Sequence, residues 1–212
     1  MAGPVRPSRS GSGITVVVTT VGEPRRAMLR RALESVWSQT LQPDQVVVAQ
    51  DTQRYGAAWN RQLGHRCVRT PLVAYLDDDD EFYPTHLERL HAEMLRTGAD
   101  LVYPWFDVFA GVDPFPMFYE LPWDNARPHQ IPVTFLARTE AISEVGGWYD
   151  GVDPDDPSKD PDGNRAGEDW RLTMRLVERD AKIVHLPERT WRWHHDSGNT
   201  SGQPSRVTWE RV

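Results

Sequence analysis

Apolar positions along the chain fall into short blocks separated by polar, glycine-marked or proline-marked breaks. Ile14 to Thr20 (ITVVVTT) is a β-branched run, the pattern of a strand buried on both faces. Gly22 breaks it, and Pro24 opens a helix at a position where its missing N–H does no harm. Met28, Leu29, Ala32, Leu33, Val36 and Trp37 then recur at helical spacing. Pro43 closes that connection, and Gln45 to Ala49 (QVVVA) predicts a second buried strand. A helix is predicted from Gly56 to about Cys67, and a third strand over Leu72 to Leu76, ending at Asp77. The next helix starts at Pro84, carries Leu87, Leu90, Met94 and Leu95 on one face, and stops at Gly98. Leu101 to Phe106 reads as a further strand.

This alternation predicts an α/β fold with a mostly parallel, doubly wound sheet and helices on both faces. In such sheets ligands sit beyond the carboxyl ends of the strands, and the acidic run Asp77 to Glu81 occupies such an end. The second half is less regular. Residues 104–132 are rich in proline and aromatics, Ile131 to Ala137 reads as a strand, and Thr139 to Val145 as a short helix ended by Gly146 and Gly147. An acidic, proline-bearing loop spans Pro154 to Gly167, and Glu168 to Arg179 is a helix with Trp170, Thr173, Met174 and Val177 on one face. Lys182 to Leu186 and Thr190 to Trp193 read as two short strands, with an irregular tail from Asp196. The expected organisation is a flexible tail over 1–13 and a single domain over 14–212, its regular half ending near 103.

Composition narrows the function classes. The length of 212 residues suits one domain, and no run approaches the about 20 apolar residues of a membrane span. Met1 to Gly13 has Arg6 and Arg9 without an apolar stretch after them, unlike a secretory signal. One cysteine, Cys67, excludes an internal disulfide and a cysteine-based zinc site, so a reducing, cytoplasmic setting is expected. The formal charge of −7, from 24 basic and 31 acidic residues, comes with no Lys/Arg cluster of the kind that grips nucleic acid. The acids are bunched instead, at Asp77–Glu81 and between Asp150 and Asp169, and bunched carboxylates repel unless cations offset them. Carboxylates converging at a sharp turn suit Mg²⁺ or Mn²⁺, which take oxygen ligands and also bridge phosphates. The alternative for this run is a solvated acidic turn.

The series ITVVVTT, RRALESVWSQT, QPDQVVVAQDT, GAAWNRQL and LVAYLDDDDEFYPTHLERL, over about residues 14–95, resembles the nucleotide-binding half of family 2 glycosyltransferases of the GT-A fold. The resemblance implies a nucleotide and metal half over 14–103 and an acceptor half over 104–212. It implies that Thr19 and Thr20 meet the nucleotide, that Asp51 accepts a hydrogen bond from the base, typically uracil, and that Asn60 lines the nucleotide site. Asp77 and Asp79 would be the two acids of a DxD motif, Asp79 in direct metal contact and Asp78 near the ribose. The sequence departs from the family at Gln50, where a second acid is usual, and at Trp59, where arginine precedes the asparagine; Arg54 or Arg61 is then the compensating cation.

Gly167-Glu168-Asp169-Trp170 resembles the family's ED motif, which implies Asp169 as the base for the acceptor hydroxyl and Glu168 in support. Acids at a helix start are also favoured by capping and by the dipole alone. Ser158, Asp160, Asp162, Gly163 and Asp169 fall at offsets reminiscent of an EF-hand loop, but Ser158 and Arg165 suit their positions poorly and no helix is evident before them. Trp191-Arg192-Trp193-His194-His195, followed by Asn199-Thr200-Ser201, resembles the family's C-terminal segment. There a histidine, His195 before His194, would complete the metal shell, or be an ordinary surface or core histidine, and Arg192 would face the leaving phosphate or simply pair with an acid. Neighbours on a strand point opposite ways, so one histidine at most enters the site. The remaining histidines form no ligand set. Trp105, Trp123 and Trp148 lie where similar folds shape the acceptor pocket, or belong to the core.

The resulting expectation is a metal-dependent glycosyltransferase of hexosyltransferase type (EC 2.4). It would move a sugar from a nucleoside diphosphate sugar to a hydroxyl of a glycan, protein or small molecule, with inversion. Two other classes remain: a nucleotidyltransferase on a related sheet, for which Val21-Gly22-Glu23-Pro24-Arg25-Arg26 is a poor phosphate loop, and a non-catalytic sugar-nucleotide-binding module.

Overall fold

The computed structural model describes residues 11–53, 55–148 and 167–194. The β-branched run forms strand β1 (Ile14–Thr20), buried at all seven positions. It is flanked on both sides by parallel partners, β2 (Gln45–Gln50) and β3 (Leu72–Asp77). A glutamate–proline–arginine 3-10 turn (Glu23–Arg25) leads into helix α1 (Arg26–Trp37), and α2 (Ala57–His65) joins β2 to β3. The chain thus steps from β1 out to β2 and back across β1 to β3. With right-handed crossovers, those opposite steps put α1 and α2 on opposite faces.

After β3 the acidic run turns into a two-residue strand, β4 (Glu81–Phe82), before α3 (His86–Thr97), β5 (Leu101–Phe109), β6 (Leu136–Arg138) and α4 (Thr139–Glu144). Helix α5 (Glu168–Glu178) and β7 (Ile183–His194) complete the described chain. The sheet order is β2-β1-β3-β6-β5-β7-β4. β1, β2, β3, β5 and β7 run the same way through long pairings of six to nine residues, whereas β6 and β4 are antiparallel insertions of two or three.

Four elements differ from the sequence expectation, each for a tertiary reason. β2 is not buried on both faces: it is an edge strand, and of its apolar residues only Ala49 is buried while Val48 is 44% exposed. Its Val-Val-Val run reflects strand propensity, not a central position. The last two acids-and-aromatic positions of the acidic turn, Glu81 and Phe82, form β4, paired with Arg192 and Trp191. The expected strand from Ile131 shrinks to Leu136–Arg138. The two expected C-terminal strands are one, β7, which absorbs Pro187 through register shifts against Pro104, Trp105 and Phe106.

The proline- and aromatic-rich stretch between β5 and β6 carries one 3-10 turn, Pro116–Phe118, and otherwise packs as side chains on the sheet. Tyr103 is its hub, stacked on His185 at 4.5 Å and edge-on to Trp123 at 5.9 Å. Its hydroxyl lies 3.1 Å from His129 Nε2, and His185 Nδ1 reaches the Leu121 carbonyl at 2.9 Å. Burial pushes both imidazoles below their ordinary pKa, which keeps them neutral members of the core. On the α2 side, His65 sits between Tyr75 and Ser143 in the same way, its pKa lowered to about 4 by burial.

Gly64 shows how closely α2 approaches the sheet: an added Cβ would run into Val17 Cγ1 and come within 3.2 Å of Ala49 Cβ. Helix propensity alone makes Gly64→Ala stabilising by about 1 kcal/mol, but overpacking a closed core costs about 1–3 kcal/mol. The steric term decides the sign. Gly64→Ala is expected to lower the thermal midpoint; an equal or higher midpoint would refute this packing.

Candidate functional site

Parallel pairing brings the carboxyl ends of β1, β2 and β3 to one edge of the sheet, and the acidic turn is built there. Thr19 stands opposite Asp77 in register, and its hydroxyl donates to Asp77 Oδ1 at 2.7 Å. The turn is tight. Asp78 N–H donates to Thr19 O at 3.0 Å, Asp80 N–H to Asp77 O at 3.1 Å, and the His194 N–H reaches Asp80 Oδ1 at 2.9 Å. Pinned from β1 on one side and β7 on the other, Asp78, Asp79 and Asp80 are all buried, while Asp77 is partly exposed.

One carboxylate oxygen from each of Asp77, Asp79 and Asp80 lies within 4.8 Å of the others. Burial, reinforced by the Asp77 charge, pushes Asp79 up to about 6. Burial and the charges of Asp79 and Asp77 raise Asp80 well above the usual carboxylate range. Asp78 Oδ2 is buried and has no hydrogen-bond partner among the described residues. A corner so short of positive charge, made only of carboxylate oxygens, fits a hard divalent cation such as Mg²⁺ or Mn²⁺. Asp80 was not among the metal ligands expected from sequence. The Asp77–Asp80 turn hydrogen bond folds it back beside Asp77, and the four-acid run was its only signal.

Arginines supply what positive charge the corner has. Arg61 Nη2 donates to both oxygens of Asp77, at 2.7 and 3.0 Å, and its Nη1 donates to Glu168 Oε1 at 2.6 Å. Its guanidinium lies 5.0 Å from the Trp148 ring centre. Burial works against this charge, but the carboxylates of Asp77, Glu168 and Asp169 outweigh it and hold Arg61 above its ordinary pKa. Arg25 contacts Asp78 and Asp79, and Arg31 donates to the Asp79 carbonyl.

Glu168 and Asp169 open α5 after Gly167, which sits in the left-handed region at φ 80°. Gln130 Nε2 donates to Asp169 Oδ2 at 2.6 Å, and Trp170 N–H to its Oδ1 at 2.8 Å. Burial and the adjacent Glu168 charge raise the Asp169 pKa, making it a stronger base than an exposed aspartate. Arg61, 107 residues from Glu168 in sequence, therefore joins the acidic turn to this carboxylate pair.

At the end of β2, Asp51 N–H donates to Thr20 O at 2.9 Å and Asp51 Oδ2 accepts from Gly56 N–H at 2.8 Å. Asn60 Nδ2 donates to the same Thr20 carbonyl at 3.0 Å, and Thr20 Oγ1 accepts from Gly22 N–H at 3.0 Å. Asp51 Oδ1 and Asn60 Oδ1 are buried without a partner among the described residues. Buried acceptors of this kind await a donor.

Other expected site residues stand apart. Arg192 Nη1 is 2.7 Å and His194 Nε2 3.0 Å from Glu81 Oε1, so both side chains engage β4 and not the three clustered aspartates. His194, which points to Glu81, is absent from the cluster of possible ligand atoms. His195, Arg54, Asn199 and the EF-hand-like positions Ser158, Asp160, Asp162 and Gly163 lie outside the described residues. Trp105 and Trp148 are core residues at 1% exposure, and Trp123 Nε1 donates to Asn125 at 2.6 Å.

Residues 51–143 match the model of glycosyl transferase family 2. No curated protein matches the chain at a significant level. Among solved structures, S. aureus TarS 1–349 in complex with UDP aligns with TM-score 0.70 at 13% identity, covering 85% of this chain and 60% of that one. The same protein in complex with UDP-GlcNAc gives TM-score 0.70 at 15% identity, covering 88% and 59%. Full-length TarS gives TM-score 0.69 at 15% identity, with 85% of this chain on 36% of that one. The chain thus spans about three fifths of TarS 1–349. Family match and fold bear out the resemblance carried by the motifs: the chain is family 2-like and has the GT-A fold, and its aspartate cluster is compatible with a DxD motif.

Two measurements probe this geometry. A carboxyl whose folded pKa is raised binds its proton more tightly folded than unfolded, so stability falls as pH rises through that window. Metal-free protein should therefore lose stability from about pH 4 to pH 6 through Asp79, and Asp79→Asn should stabilise it at pH 7 by about 1–3 kcal/mol. Denaturation of the variant at lower denaturant than wild type would contradict the crowding of negative charge. Conversely, Arg61→Met leaves Asp77 and Glu168 without their shared cation and should destabilise by about 3–5 kcal/mol in urea. A loss under 1 kcal/mol would show that the bridge is marginal.

Proposed function

We propose that this chain is a metal-dependent glycosyltransferase that moves a sugar from a nucleoside diphosphate sugar, a UDP-sugar, to a hydroxyl acceptor with inversion at the anomeric carbon. The observation that carries this reading is the Arg61 bridge. It sets a cation-hungry aspartate cluster and the partly buried carboxylate pair Glu168 and Asp169 on either side of one guanidinium. The TarS complexes with UDP and UDP-GlcNAc support a uracil nucleotide as donor.

In this reading Asp77, Asp79 and Asp80 hold Mn²⁺ or Mg²⁺, which when bound offsets charge on the departing diphosphate. Asp51 Oδ1, without a partner among the described residues, accepts from the base, Asn60, Thr19 and Thr20 line the nucleotide, and Asp78 faces the ribose. Asp169 takes the acceptor hydroxyl proton as that oxygen bonds the anomeric carbon and the bond from this carbon to the diphosphate oxygen breaks. Gln130 and the Trp170 N–H hold the Asp169 carboxylate in orientation, and its raised pKa strengthens it as a base. Glu168 keeps Arg61 in place. Arg192 reaches the diphosphate and His194 or His195 the metal only by release from Glu81 or from beyond the described residues. The acceptor is a glycan, a protein or a small molecule. No described helix is long and apolar enough to cross a membrane, and the exposed Cys67 suits a reducing, cytoplasmic setting.

Nucleoside diphosphate release from a panel of sugar nucleotides with Mn²⁺ tests the reading. Asp79→Asn should remove the metal-dependent part, on the order of 10²-fold or more. Asp169→Asn should retain UDP binding and lose transfer by a similar factor. Formation of a diphosphate linkage would favour a nucleotidyltransferase, binding without turnover a non-catalytic module, and normal turnover of both variants would overturn the site assignment.

A further inference from the structure

Two arginines pair with the aspartate carboxylates of the acidic turn, whereas Arg31 meets the Asp79 backbone carbonyl, and those two are held in opposite ways. Arg61 is buried, tied to Glu168 at 2.6 Å and packed on Trp148, so it has no route out of the corner. Arg25 has a fixed backbone and a partly exposed side chain. Its N–H donates to Gly22 O at 2.9 Å. Gly22 has φ 91°, and an added Cβ would lie 2.6 Å from Gln50 Nε2, so the turn admits only glycine. The Arg25 side chain, however, is 32% exposed, and only its tip is engaged: Nη1 lies 2.8 Å from Asp78 Oδ1 and 3.0 Å from Asp79 Oδ2.

Those contacts occupy the acid that the metal needs. A divalent ion at Asp79 and a guanidinium on the same carboxylate are like charges at close range, and they repel. The corner remains short of positive charge even with Arg25 in place, because Asp78, at 2% exposure, has its second oxygen without a partner among the described residues. A donor diphosphate arrives with its own negative charge, and guanidinium binds phosphate oxygens through paired, charge-assisted hydrogen bonds.

We propose that Arg25 is an exchangeable counter-ion: it neutralises Asp78 and Asp79 in the empty site, yields Asp79 to the incoming divalent cation, and turns its side chain onto the donor diphosphate. This rests on the reading of Asp77, Asp79 and Asp80 as the metal site. The exchange gives the corner near-constant charge through a cycle of loading and release. It also links metal and nucleotide, since the arginine freed by the first becomes a ligand of the second.

The test is calorimetric titration of the full chain with Mn²⁺ alone, and with UDP at saturating Mn²⁺, for wild type, Arg25→Gln, Arg25→Lys and Asp79→Asn. Removing the competitor should tighten Mn²⁺ binding to Arg25→Gln by about tenfold, while removing the phosphate ligand should weaken UDP by about tenfold. Arg25→Lys should restore both in part. Opposite movement of the two affinities is the signature, because simple damage to the corner would weaken both. Mn²⁺ affinity that is unchanged or lower in Arg25→Gln, or UDP affinity that is unchanged, overturns the proposal. If Asp79→Asn abolishes Mn²⁺ uptake in that same experiment, the metal site survives and only the role of Arg25 falls. A wild-type chain that takes up no Mn²⁺ overturns both.

Discussion

The corner depends on one buried guanidinium. Arg61 spans from the last residue of a central strand, Asp77, to the first residue of a late helix, Glu168, with Trp148 beneath it. A charge taken out of water survives only if it is paired and hydrogen-bonded, and both conditions are met by groups that the fold must bring together first. The bridge therefore works as a constraint on assembly. β3, α2 and α5 have to be in their final places for Arg61 to be satisfied, and once satisfied it fixes the distance between the aspartate turn and Asp169.

Around that bridge, negative charge is left in excess on purpose of the geometry alone. Parallel pairing delivers Thr19 and Asp77 side by side, the short turn folds Asp80 back, and β4 ties the turn to β7. None of these backbone bonds neutralises a carboxylate, so Asp79 and Asp80 resist ionisation in the metal-free protein. Burial of like charges is unfavourable by itself. Arg25 and Arg31 are the local offsets.

Much of the architecture was legible because it rests on short-range rules. Ile14–Thr20, Leu72–Asp77 and the helices ending at Trp37 and Thr97 follow from β-branched runs, helical periodicity and Gly98 as a left-handed stop. The parts misread were those set by neighbours in space. Nothing in QVVVA says that β2 is an edge, since a three-valine run has the same composition in the middle of a sheet. Likewise Glu81-Phe82 looks like the end of an acidic turn until Trp191 and Arg192 lie beside it. Lys182 to Leu186 and Thr190 to Trp193 read as two strands, and the register shift against β5 makes them one.

By itself, the sequence determined the alternating α/β order, the placement of four aspartates at a strand's carboxyl end and a second acidic pair at a helix start, because periodicity, turn residues and dipole preferences act within a few residues. Which of those acids converge was decided only in three dimensions. Asp80 joined Asp77 and Asp79 through a turn hydrogen bond, Arg61 chose Asp77 and Glu168, and Glu81 drew Arg192 and His194 away. The physical reason is range: electrostatic pairing in a buried site depends on distances of a few ångströms between residues up to 113 positions apart, and linear spacing carries no record of them.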